Sequence, residues 1–105
     1  MSILPVNLHL DDENDRQCVY ETDDVQIMRV RLSSGDALPT HNANANVLLV
    51  PLQGAVTVTA EGTTQTAEPG GAVSVPYQTR MDVSNQGAAP LTFLVLKTPH
   101  PKTFK

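Results

Sequence analysis

The chain is written in short apolar alternations, each soon cut off by Gly, Pro, Asn or Asp. No stretch keeps the 3.6-residue spacing that a buried helix face needs. Val25–Leu32 puts Met28, Val30 and Leu32 on one face and Arg29 and Arg31 on the other. Ser33 to Asp36 then reads as a turn. Across His41–Leu52 the alternation starts strict, with His41, Ala43, Ala45 and Val47 against Asn42, Asn44 and Asn46. From Val47 to Val50 every residue is apolar, which predicts that both faces of that stretch are covered. Ala55–Ala60, Thr63–Ala67, Ala72–Val75, Met81–Asn85 and Leu91–Leu96 follow as further strands, with Glu61-Gly62 as a hairpin turn. Such a run of short strands, with turn signals about every 8–12 residues, is the pattern of an all-β sandwich or barrel.

At 105 residues the chain suits one domain with one core. The net charge of −4 is unevenly placed: residues 1–24 hold seven acids and one base, Arg16. This predicts an acidic N-terminal arm (1–24) packing on the barrel, largely as a solvated loop with at most a helical turn over Asp11–Gln17. The barrel proper is placed at 25–97, and the Pro-rich segment 98–105 is expected to run extended over the surface. Scattered bases without a basic stripe argue against nucleic-acid binding. The chain lacks the long apolar run of a membrane span and the basic-then-apolar order of a signal peptide. One cysteine, Cys18, allows no internal disulfide, and a lone thiol suits a cytoplasmic location.

Two sets of residues stand at telling intervals. Gly35, His41, Ala43, Val47 and Gly54 are separated by five, one, three and six residues. Gly70, Pro76, Gln78, Met81 and Asn85 are separated by five, one, two and three. The spacings resemble the two conserved blocks of the cupins. In those blocks His, His and Glu stand where this chain has His41, Ala43 and Val47, and Gly and His stand where it has Gln78 and Met81. The resemblance spans about residues 25–97. It implies a cupin (jelly-roll-like) antiparallel β-barrel of the small single-domain type, commonly a homodimer.

In metal-binding cupins those inward His and Glu side chains hold a divalent ion. Here three of the four positions are Ala43, Val47 and Met81. Alanine and valine have no donor atom, and a thioether is a soft ligand poorly matched to Fe(II), Mn(II) or Ni(II). A catalytic metal normally needs three protein ligands, so neither metal nor other cofactor is expected. His9 and His100 lie outside every predicted strand.

The inner wall then reads as Ala43, Ala45, Val47, Val73, Val75, Met81 and Val83, small, apolar and nearly neutral, with His41 at one end. That is a wall for a small uncharged or apolar ligand, touched by His41, Ala43, Val47, Met81 and Tyr77. Equally, His41 is a remnant bonded in the barrel mouth, with Met81 filling the space of a metal. Two alternatives stand beside ligand binding. One is a metal-independent epimerase-like enzyme with His41 as base and Tyr77 as acid, which needs a carboxylate beside His41. The other is a dimeric structural or regulatory module without a ligand.

Overall fold

The computed structural model describes residues 3–11 and 14–104. Nine strands fill it: β1 (Arg16–Glu21), β2 (Gln26–Leu32), β3 (His41–Asn42), β4 (Asn46–Gln53), β5 (Val56–Ala60), β6 (Thr63–Ala67), β7 (Val73–Val75), β8 (Arg80–Ser84) and β9 (Leu91–Thr98). They form two antiparallel sheets, ordered β1-β2-β9-β4-β7 and β3-β8-β5-β6. Each sheet buries one face against the other, which is why the alternation was so regular. Val30, Leu49, Val56, Val83, Leu91 and Phe93 are almost wholly buried between them. Burying each such side chain is worth roughly 1.5–3 kcal/mol.

The spaced residues of the two blocks are explained by backbone contacts. Gly35 N–H donates to Asn85 O and Asn85 N–H donates to Asp36 O, each at 2.9 Å. The first residue of one block is thus tied to the last residue of the other. The Asn85 side chain is 1% exposed and spends all its polar atoms locally. Its Nδ2 donates to Leu32 O and Ala89 O at 3.0 and 2.9 Å, and its Oδ1 accepts from Gly87 N at 3.0 Å. Gly54 has φ of 80°, and a Cβ there would lie 2.5 Å from Pro90 O, so no other residue fits. Glu61 and Gly62 both have positive φ, which is the backbone a two-residue type I′ hairpin turn requires.

Several expectations are corrected. The acidic arm is not loop throughout: Arg16–Glu21 pairs with β2 and extends the larger sheet. Arg16 and Gln17 are therefore extended rather than helical; the rest of the proposed turn includes residues 12 and 13, which lie outside the described residues. A bulge between Cys18 and Tyr20 interrupts the alternation of β1 and hid it from pattern reading. Two of its acids, though still exposed to solvent, are paired. Glu21 Oε2 lies 2.5 Å from His100 Nε2, and Asp23 Oδ1 lies 2.6 Å from Lys102 Nζ. Those partners come from the C-terminal segment, which is not extended: β9 runs to Thr98, and Pro101–Phe104 forms a 3₁₀ turn.

His41–Leu52 is two strands. β3 pairs with β8 in the smaller sheet and β4 with β7 and β9 in the larger, so the chain changes sheets near Ala43–Ala45. The alternation survives the corner because both sheets bury their inner faces against one core. The outer face of Val47–Val50 is only partly covered, with Leu48 37% exposed. On that same outer face, Arg29 is 0% exposed. Its Nη1 donates to Asn14 O at 2.6 Å and its Nη2 to Gln17 Oε1 at 3.3 Å, which fastens the segment before β1 to the sheet.

Candidate functional site

A cavity of about 450 Å³ opens between the sheets at the end where His41 stands. Its wall is apolar: Met28, Val30, Leu38, Val47, Leu49, Met81, Val83 and Val95. Its mouth is polar: Arg16, His41, Asn42, Asn44 and Lys97. Pockets of roughly 300–1,000 Å³ with an apolar wall and a few polar groups are the usual form of small-molecule sites.

Of the residues singled out from the sequence, His41, Val47 and Met81 line this cavity. His41 and Met81 face each other across the β3–β8 ladder. His41 is exposed, and its Nδ1 lies 2.8 Å from Pro39 O. A carbonyl only accepts, so Nδ1 carries the proton of that bond, and in the neutral ring Nε2 is left as an acceptor. Ala43 is 2% exposed and does not line the cavity. Its backbone is fixed instead: Ala43 N–H donates to Thr79 O and Gln78 N–H donates to Ala43 O.

Tyr77 is elsewhere. Its ring stacks on Phe104 with centroids 3.9 Å apart, and its N–H donates to Asn46 Oδ1 at 3.0 Å. It therefore joins the C-terminal turn to the barrel rather than serving the cavity. The acid–base set required by an epimerase-like reading is not assembled. Among the described residues no Asp or Glu lines the cavity, and the Asp82 carboxylate accepts from the Thr40 hydroxyl.

The four positions that hold a metal in metal-binding cupins do not fit one here. They offer one imidazole at the mouth and one thioether, with Ala43 and Val47 contributing no donor. Among the described residues, no three His, Cys, Asp or Glu side chains converge.

Sequence reading missed Arg16 and Lys97, and the cavity is not neutral as it predicted. Lys97 continues the inward column Leu91, Phe93, Val95, but strand β9 was taken to end at Leu96. The register puts Lys97 directly across from Val47 on β4 and Gln26 on β2. Burial pushes the Lys97 ammonium below its ordinary value, the Arg16 charge lowers it further, and Cys18 acts weakly the other way. Arg16 was assigned to the arm; as part of β1 it stands opposite Val30, at the cavity edge.

Two facing antiparallel sheets, with both spaced blocks meeting at Gly35 and Asn85, make a double-stranded β-helix, and the chain belongs to the cupin family. It is similar to the uncharacterised protein MJ0764 of Methanocaldococcus jannaschii, at 35% identity over 85 residues, covering 80% of this chain and 73% of that protein. The crystal structure of MJ0764, an RmlC-like cupin with a double-stranded β-helix fold, matches with a TM-score of 0.85 and 30% identity over 98% of this chain and 96% of that one. BH2720 of Bacillus halodurans matches with a TM-score of 0.81 at 17% identity, over 92% and 81% of the two chains. A cupin superfamily protein of Desulfitobacterium hafniense matches with a TM-score of 0.70 at 18% identity, over 81% and 76%. The last two show likeness of fold alone. No protein-family model matches the chain. Among the described residues, no helix is long and apolar enough to cross a membrane.

Proposed function

We propose that this cupin binds a small molecule whose apolar body lies between the sheets, without a metal-dependent step. The observation that carries the reading is the cavity of about 450 Å³, walled by apolar side chains where the family's metal ligands would stand. The donor set supports the metal-free part, because one imidazole and one thioether do not make a catalytic site for a divalent ion.

The test is titration of the protein with 1-octanol, followed by methyl NMR. Shifts confined to the methyl groups of the cavity wall, centred on Val47, Leu49, Met81, Val83 and Val95 and lost in Val47→Phe, are the expected result. Absence of binding up to the solubility limit, or shifts centred elsewhere, refutes it. A stoichiometric transition metal in protein purified without an affinity tag refutes the metal-free part.

A second reading concerns assembly. Tyr20, Ile27, Leu96 and Leu48 lie side by side across β1, β2, β9 and β4 on the outer face of the larger sheet. Tyr20 and Leu48 remain 41% and 37% exposed. This apolar row supports pairing of two copies through that face as a closed C2 homodimer.

A further inference from the structure

We propose that the ligand of this cavity is a small organic carboxylate, its apolar body against the wall and its anionic group held at the mouth by Lys97 and Arg16. The proposal rests on the cavity reading above and adds the charge class of the ligand. Both cations line the cavity, and among the described residues no acidic one does. Among the described residues, neither side chain has a hydrogen-bonding or ion-pair partner, whereas Lys102 pairs with Asp23 and Arg29 is held by Asn14 and Gln17. Asp15 and Asp36 do share a neighbouring groove with Arg16, but that groove does not include Lys97.

The placement of Lys97 follows from its strand. It ends an inward column of apolar residues, so its stem runs along the wall and its ammonium reaches the mouth. It stands directly across the ladder from Val47, the position at which metal-binding cupins carry glutamate. With valine there, no acidic side chain among the described residues answers the lysine charge. Burial and the nearby Arg16 both disfavour the charged form of Lys97, and a bound anion relieves the second while offsetting the first. Arg16 adds a planar fork that matches a carboxylate's two oxygens, and Asn42 and Asn44 line the same cavity with amides able to act as neutral donors.

The experiment is isothermal titration of the full chain with octanoate, 1-octanol and octylammonium, which share one tail and differ in head-group charge. Octanoate is expected to bind about tenfold tighter than 1-octanol, the gain typical of charge-assisted hydrogen bonds, with octylammonium weakest. Raising salt should weaken octanoate and leave 1-octanol unchanged, because only the former is held by charge. Lys97→Met and Arg16→Met should each remove most of the octanoate preference and spare 1-octanol, while Lys97→Arg keeps it. Equal affinities for octanoate and 1-octanol in the unaltered protein, or an octanoate preference that survives Lys97→Met and is insensitive to salt, overturn the carboxylate assignment and leave the cavity reading standing. Failure of all three probes to bind the unaltered protein overturns both. The salt series needs no variant, so a poorly folded Lys97→Met protein does not rescue the proposal.

Discussion

Replacing Asn85 by alanine tests how much its side chain adds to the meeting of the two spaced blocks, since the backbone bonds to Gly35 and Asp36 remain in the variant. The side chain makes three hydrogen bonds, to Leu32 O, Ala89 O and Gly87 N, from a site 1% exposed. The three do not cost the same to lose. The bond to Leu32 O is fully buried, and an unsatisfied buried carbonyl costs about 1–3 kcal/mol. Ala89 and Gly87 are exposed residues, so water can replace part of their bonds, and each loss is worth about 0.5–1 kcal/mol. The sum is roughly 3 kcal/mol, a large fraction of the roughly 5–15 kcal/mol that holds a domain together. For a domain near this size it corresponds to a fall in Tm of about 12–24 °C. Urea denaturation followed by circular dichroism reads the loss as a lower midpoint at unchanged slope. Asn85→Asp should restore only part of it, because the carboxylate can still accept from Gly87 N but cannot donate to the two carbonyls. A loss below about 1 kcal/mol for Asn85→Ala would refute the reasoning that its three side-chain bonds help hold the barrel.

Gln78 holds a φ of 69° at the position where the cupin pattern has glycine. Gln78→Gly should therefore stabilise the protein by about 0.5–1 kcal/mol after the entropy cost of glycine, and a lower melting temperature would show that the backbone there is unstrained. The His100 hydrogen bond, then Gln26, holds the Glu21 carboxyl below its ordinary 4.5, and Lys102 holds Asp23 below its ordinary 3.8. Both carboxylates are favoured in the folded state, so their contribution is present above those values and is lost as pH falls through the lowered ones. The Tyr77–Phe104 stack should then loosen in acid, seen by NMR as ring shifts moving toward random-coil values; rings unmoved at about pH 3 in a still-folded barrel would separate the stack from the ion pairs. For the outer-face homodimer, light scattering should give twice 11.3 kDa, and Leu48→Glu should halve it. A mass of 11.3 kDa for the unaltered chain at working concentration removes that reading.

The barrel was legible because its cause is local. Period-two alternation in Val25–Leu32 and His41–Val47 is the direct imprint of two sheets burying one face each, and Glu61-Gly62 is a turn whose backbone requirement is written in its residues. The intervals around Gly35, Gly54 and Asn85 could be read as a family pattern, yet only the contacts explain them: a donor at Gly35 meeting a carbonyl at Asn85, and a carbonyl at Pro90 leaving no room for a Cβ at Gly54.

What sequence decided by itself was the all-β class, the inward face of the regularly alternating strands and the identity of the groups at the would-be metal positions. Alternation and residue type are properties of single strands and single side chains, so no tertiary information was needed. What only the tertiary structure decided was which residues share a space. Arg16 looked like part of an acidic arm and Lys97 like a residue just past the last strand, and strand pairing across β1, β2, β9 and β4 brought both to one mouth. Tyr77 looked like a partner for His41, and packing turned it to Phe104 instead. These are contacts between residues far apart in the chain, set by register and by the change of sheet near Ala43–Ala45, which a local pattern does not encode.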